Sequence, residues 1–92
     1  MTVRIAVVDS GCTPAQALQV RDAVALVLED RAVRQAPATA DALGHGGRVA
    51  GILLHCAPQA ELLVVQVFRE RLTTTAAQVA AAIDWAVANG AQ

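Results

Sequence analysis

The chain has no tyrosine and no lysine, and only one tryptophan, one phenylalanine and one methionine. Without aromatics to fill it, a core must be built from small aliphatic side chains, which suits closely packed strands and helices. The positive charge is all arginine and is offset by acids, for a formal net charge of -1. That balance leaves no electrostatic footprint for nucleic acid or an anionic membrane, so neither is an expected partner. Long apolar runs are missing too. Apolar stretches such as Leu62 to Val65 and residues 24–28 fall far short of the roughly 20 residues that span a bilayer. The two cysteines, Cys12 and Cys56, form no Cys-x-x-Cys unit. No metal or other cofactor is therefore expected, and both thiols are read as reduced. A strand begins within a few residues of Met1 with no signal-peptide pattern before it, which points to the cytoplasm.

What is abundant is alanine, valine and leucine, and 92 residues suffice for one small domain. Residues 2–8 are nearly all β-branched or apolar and read as a strand buried on both faces, ended by Gly11 and Pro14. Thr13-Pro14 offers an N-cap and a first-turn proline for a short helical turn over residues 15–20. Residues 23–28 read as a second buried strand. The polar stretch 29–43 reads as a surface connection with an edge strand around residues 32–35. Residues 46–54 suit a buried helix that starts among glycines and is broken at Ala57-Pro58. Residues 61–68 are the clearest strand, and 69–73 a polar turn. Thr74 or Thr75 then caps a helix running to Asn89, with Gly90 as its stop. Ala77, Ala80, Ala81, Ile83, Trp85 and Val87 are expected to form its buried surface.

Strands alternating with helices imply an α/β fold: βαβ units, right-handed crossovers and a three-stranded parallel sheet with flanking helices. The raw edge of such a sheet marks residues 1–92 as an incomplete part of one domain, finished by further chain or by a second polypeptide.

Two short segments carry the chemistry. Val7-Val8-Asp9-Ser10-Gly11 places an acid at the C-terminal end of an apolar strand, where open α/β sheets form their ligand crevice. A carboxylate there can orient an imidazole, or it can simply cap its own turn. Gly44-His45-Gly46-Gly47 places a histidine at a glycine-lined helix start. Glycines admit neighbouring backbone and leave the ring open, as a general base requires. The helix N-terminus disfavours imidazolium, so such a base needs an acid partner. The bland alternative is a histidine that caps the helix.

Taken together, in this order and at this separation, the two segments resemble the Asp and His segments of the subtilisin-like serine proteases. His45-Gly46-x-x-Val49-Ala50-Gly51-Ile52 is similar to the family's His-Gly-Thr-His-Val-Ala-Gly. Ala57-Pro58-x-Ala60-x-Leu62-x-x-Val65-x-Val67 is similar to its buried strand, and Ile83-Asp84-Trp85-Ala86-Val87-x-Asn89-Gly90-Ala91 to the helix before its substrate-binding strand. The resemblance implies the N-terminal part of a subtilisin-like fold, with Asp9 as triad acid and His45 as general base. It also implies a peptide or protein substrate, and a nucleophilic Ser, an oxyanion Asn and a substrate-pairing strand all beyond Gln92. Small bacterial members of this family trim leader peptides from modified precursors, including the type that matures quinohemoprotein amine dehydrogenase. The compactness of the chain suggests that subtype.

The sequence departs from the family at Gly47 and Arg48, where Thr or Ser and then His are usual. Arg48 brings a fixed positive charge near the base. The short Asp9-to-His45 connection leaves little room for a calcium-binding loop. Ser10 follows Asp9 directly, so its side chain should point away from it, and a structural role is expected rather than that of a nucleophile. Cys12 reads as a buried inert thiol. No role is read for Cys56, and His55 reads as a cation at a helix end.

Two rivals stand beside this reading. Asp9-Ser10-Gly11-Cys12-Thr13 matches Asp-x-Gly-x-Thr, which resembles the phosphate hairpin of sugar kinases and actin-like ATPases. That hairpin needs an antiparallel strand directly after it. The other rival is a non-catalytic subunit that keeps the fold and binds through its sheet edge.

Overall fold

The computed structural model describes residues 2–92. Its elements run β1 (Arg4–Asp9), α1 (Pro14–Ala17), β2 (Asp22–Glu29), β3 (Ala32–Pro37), α2 (His45–Cys56), β4 (Glu61–Gln66) and α3 (Ala76–Ala88). The sheet has four strands in the order β1-β4-β2-β3. β4 lies between β1 and β2 and is parallel to both, whereas β3 is antiparallel to β2. The expected α/β sheet with flanking helices is there and is mostly parallel; it is mixed and has four strands rather than three because the edge strand expected around 32–35 joins it as β3.

The fourth strand comes from a hairpin. Asp30 and Arg31 connect β2 to β3 with φ of 50° and 66°. A two-residue loop with both φ positive matches the right-handed twist of paired strands. β3 carries Arg34, bonded to Glu29 across the hairpin at 2.6 Å, and ends on Pro37. Charge and proline on an outer strand discourage further pairing there. At the other edge, β1 has a strand partner on one side only among the described residues. Its burial is mostly partial, because an edge strand is covered less than a central one. The expectation of a strand buried on both faces fits β4 instead, where Leu62 to Gln66 are all buried.

Side chains alternate across the sheet, and the alternation sorts the core into two layers. On one face Leu62 and Val64 of β4 pack with Cys12, Ala50, Ile5 and Leu53, beneath α2. On the other, Val65, Val67, Val24 and Leu26 pack with Ala82 and Trp85 of α3. Ile5, Val7 and Asp9 share a parity along β1, so the acid points to the α2 side.

α3 is opened by Thr75 in a reciprocal capping box with Gln78, and Gly90 follows it at φ 88°. Its buried face differs from the expected set. Ala82 and Ala86 are buried, while Ile83 and Val87 are 55% and 67% exposed. The 3.6-residue period places 78, 82, 85–86 and 89 in line over the sheet, and 83 and 87 fall outside that line. α2 likewise is covered on one side only. Gly46, Gly47 and Ala50 are buried and Ile52 is exposed.

At the end of the sheet opposite Asp9, Arg4 donates to Glu61 and to the Asn89 carbonyl, at 3.0 and 2.8 Å, and Arg21 also bonds Glu61. The bond from Arg4, aided by Arg21, holds the Glu61 carboxyl below the usual range.

The core outweighs the caps. Leu62→Ala should lower unfolding stability by about 2 to 5 kcal/mol, the loss for emptying a buried leucine site. Thr75→Ala should lose only about 1 kcal/mol with its cap. Urea denaturation midpoints with unchanged slopes check both.

Candidate active site

Asp9 is the last residue of β1 and His45 the first of α2. Gly44 precedes the helix at φ 83°, a left-handed turn that glycine adopts without penalty, and contributes no side-chain cap. The first turn of α2 then comes down onto the end of β1. A Cβ at Gly46 would overlap the Gly11 carbonyl oxygen and meet the Ser10 amide at 3.1 Å. Only glycine permits this approach, and the approach brings the histidine to the acid.

His45 Nδ1 lies 2.7 Å from Asp9 Oδ2. A carboxylate can only accept, so Nδ1 carries a proton, and the neutral form of this ring has its lone pair on Nε2. The second carboxylate oxygen, Oδ1, accepts from the Ser10 N–H at 2.8 Å. The acid's side chain is 12% exposed and the histidine's 64%. A nearly buried carboxylate therefore holds one edge of a ring whose other edge is open. Such a pair can take a proton from a group brought to Nε2 and stabilise the imidazolium formed.

The other chemically notable residues lie elsewhere or are already committed. Ser10 is fully buried, and its Oγ accepts from the Gly46 N–H at 2.9 Å, which makes it a structural tie and not a nucleophile. Cys12 is buried, lining an apolar cavity of about 440 Å³ with Pro14, Ala17 and Pro37. Burial pushes its thiol up and the Asp41 charge adds to this, so the reactive thiolate is disfavoured. Cys56 and His55 are exposed at the far end of α2. The phosphate-hairpin reading fails, because Thr13 caps helix α1 where an antiparallel strand is needed. Among the described residues, no group of three or more His, Cys, Asp or Glu could hold a metal ion, and no helix is long and apolar enough to cross a membrane.

Two supporting residues escaped the sequence reading. Gln66 is fully buried at the end of β4. Its Nε2 donates to the carbonyls of Ser10 and Thr39 at 3.0 and 3.2 Å, and its Oε1 accepts from the Thr39 N–H at 3.1 Å. It pins the loop before α2 to the end of β1. The signal was a polar residue interrupting an otherwise apolar strand. Asp41 is the second. Its Oδ1 accepts from Leu43 and Gly44 N–H groups at 3.0 and 2.9 Å, and its Oδ2 from Gly47 N–H at 2.8 Å. Burial pushes this carboxyl up, but the Gly47 N–H, the Ser10 hydroxyl and the Gly44 and Leu43 N–H groups together hold it below the usual range. The signal was an acid just ahead of a glycine at a helix start.

Gln66→Leu should lower stability by about 1 to 3 kcal/mol, because it strands the buried Ser10 carbonyl and cuts the ties to Thr39. Gly46→Ala should lose about 1 to 3 kcal/mol to overpacking and move the imidazole off the acid. Thermal melts, with the His45 ring resonances read by NMR, check the pair.

Comparison with known proteins adds a finding of another kind. The model of the subtilase family matches residues 1–92, the length of the chain. No curated protein matches it. A match across every residue, on an α/β scaffold that bonds an acid at a strand end to a histidine at a helix start, makes this chain a member of the subtilase family of serine proteases.

Proposed function

We propose that the chain supplies the acid and the base of a subtilisin-type serine endopeptidase. The observation that carries this reading is the 2.7 Å bond between the shielded Asp9 carboxylate and the open His45 ring. Asp9 keeps the proton on Nδ1. Nε2 then takes the hydroxyl proton of a serine supplied from outside these residues, and the serine oxygen attacks the scissile carbonyl. The imidazolium, held by Asp9, passes that proton to the departing amine, and water repeats the cycle to release the acid product.

The substrate is a peptide or protein, and we favour a precursor that is trimmed. The connection from Asp9 to His45 is taken up by α1 and a tight hairpin, leaving no long excursion around the site. A further strand, from the rest of the domain or from a second chain, would pair with the free side of β1. The free thiols of Cys12 and Cys56 suit the cytoplasm as the working compartment.

In the complete polypeptide, His45→Ala and Asp9→Asn should each cut kcat strongly, with losses on the order of ten-thousand-fold for the wrong imidazole tautomer. Neither should lower stability by more than roughly 1 to 3 kcal/mol. Arg48 is exposed one turn beyond the base, and Arg48→His should hold or raise activity by removing a fixed positive charge. Peptide-hydrolysis kinetics with parallel melts test all three. Full activity in both His45→Ala and Asp9→Asn would show that hydrolysis does not run through this pair, whereas a complete wild-type polypeptide that binds peptide and hydrolyses none would favour the rival, a fold retained for binding alone. Residues 1–92 by themselves should hydrolyse nothing, since base and orienter act only as a unit with their nucleophile. Turnover by that piece, abolished in His45→Ala, would overturn the proposal's external serine.

A further inference from the structure

Four amides flank the backbone of His45 under unusual control. Those of Leu43, Gly44 and Gly47 are held by Asp41, and that of Gly46 by Ser10 Oγ. The stretch from Leu43 to Gly47 that aims the imidazole is thus fixed on both sides of His45 by two side chains from outside the helix. The two meet at the same turn, because Ser10 Oγ takes the Gly46 amide and Asp41 Oδ2 the next one along, that of Gly47. Ser10 in turn follows the acid, and its N–H holds Asp9 Oδ1. Asp41 is anchored independently through its own N–H, which donates to the Cys12 carbonyl at 3.0 Å. Bonds therefore run from Asp9 through Ser10 to the start of α2, and from Cys12 through Asp41 to the same turn, both separate from the direct Asp9–His45 contact.

We propose that Asp41 is a positioning residue of the peptidase: its carboxylate sets the approach of His45 to Asp9 and supplies a standing negative charge at the end of α2 where imidazolium must form. This rests on the peptidase reading above. The geometry requires an acid and not merely a hydrogen-bonding side chain. Both carboxylate oxygens accept from N–H groups, so an asparagine would have to turn its NH2 against one of those donors. The charge matters because a helix N-terminus repels a cation. Around the base, Asp9 comes from β1 and Arg48 from α2 itself. The segment after β4 brings Arg69 and Glu70, which line a cavity of about 310 Å³ with Thr39, Ala40 and Ala42. Arg48 and the helix end oppose the imidazolium, and Asp9 and Asp41 favour it.

The test is the pH profile of kcat/KM in the complete enzyme, for the wild type, Asp41→Asn, Ser10→Ala and His45→Ala. The acid limb of that profile reports the free enzyme's essential base. Asp41→Asn should lower kcat/KM by roughly 10- to 100-fold, the scale of a small misplacement of reacting groups, and move the acid limb to lower pH. Ser10→Ala loosens the helix start but keeps the charge, so it should lower the rate with the limb unmoved. If Asp41→Asn does not fold, Asp41→Ser, which retains a neutral acceptor, is read in the same way. A wild-type profile in the Asp41 variant, or a lower rate with an unmoved limb, overturns the proposal while leaving Asp9 and His45 in place. Activity surviving in His45→Ala would instead defeat the peptidase reading itself.

Discussion

The approach of one helix end to one strand end governs the site. β1 and α2 are far apart in sequence and joined by a turn, a strand and a hairpin, yet their termini touch backbone to backbone at Gly46 and Gly11. That contact tolerates no side chain. It sets the spacing of acid and base more rigidly than the Asp9–His45 bond could, because a single part-buried side-chain bond contributes only a modest net free energy. Gln66, Ser10 and Asp41 act as the ties that keep the two termini together. The polar network is partly buried and leaves none of its buried side-chain atoms without a partner, the condition under which such networks rigidify a structure rather than weaken it.

Much of this was legible in the residues. The apolar β4, the glycine-flanked His45, the capping threonines and the stop at Gly90 obey local rules, and the structure follows them within a residue or two. What was missed has common physical causes. The hairpin at Asp30-Arg31 lacks glycine or asparagine, and an arginine at φ 66° is a position that local preference argues against. Tertiary pairing with β2 overrides it. The buried face of α3 was misassigned because alanine is compatible with either side of a helix, so the period had few bulky residues to mark it. Asp41 and Gln66 escaped for another reason. Gln66 ties backbone groups that the fold brings together from distant parts of the chain, and Asp41, whose amide partners lie only two to six residues on, shows as a cap only once the turn before His45 is built.

The candidate site shows the same division. Asp9 and His45 could be singled out by residue type and local setting, and their joint resemblance to one family raised them above the bland readings of a turn cap and a helix cap. The bond between them could only come from the fold. Conversely, Ser10 and Cys12 look reactive as letters in a sequence. The structure removes both, one by committing its oxygen to an amide and the other by burying its sulfur beside a carboxylate.

The two borders of the sheet are not equivalent. One is blunted by Pro37 and by the Arg34–Glu29 pair on the hairpin, while the other is the bare flank of β1. Growth of the sheet is therefore one-directional: a new strand can join only beside the first strand made. The Gln92 N–H already donates to the Arg4 carbonyl at 3.0 Å, and the Arg4 N–H to the Gln92 side chain across 88 residues. Every addition on that flank is consequently a contact of high sequence separation, the kind that forms late and slowly. During synthesis the opening strand waits, half-covered, for β4, the strand it pairs with, which is made only after β2, β3 and α2. That interval is the stage at which this protein is most exposed to pairing with the wrong chain.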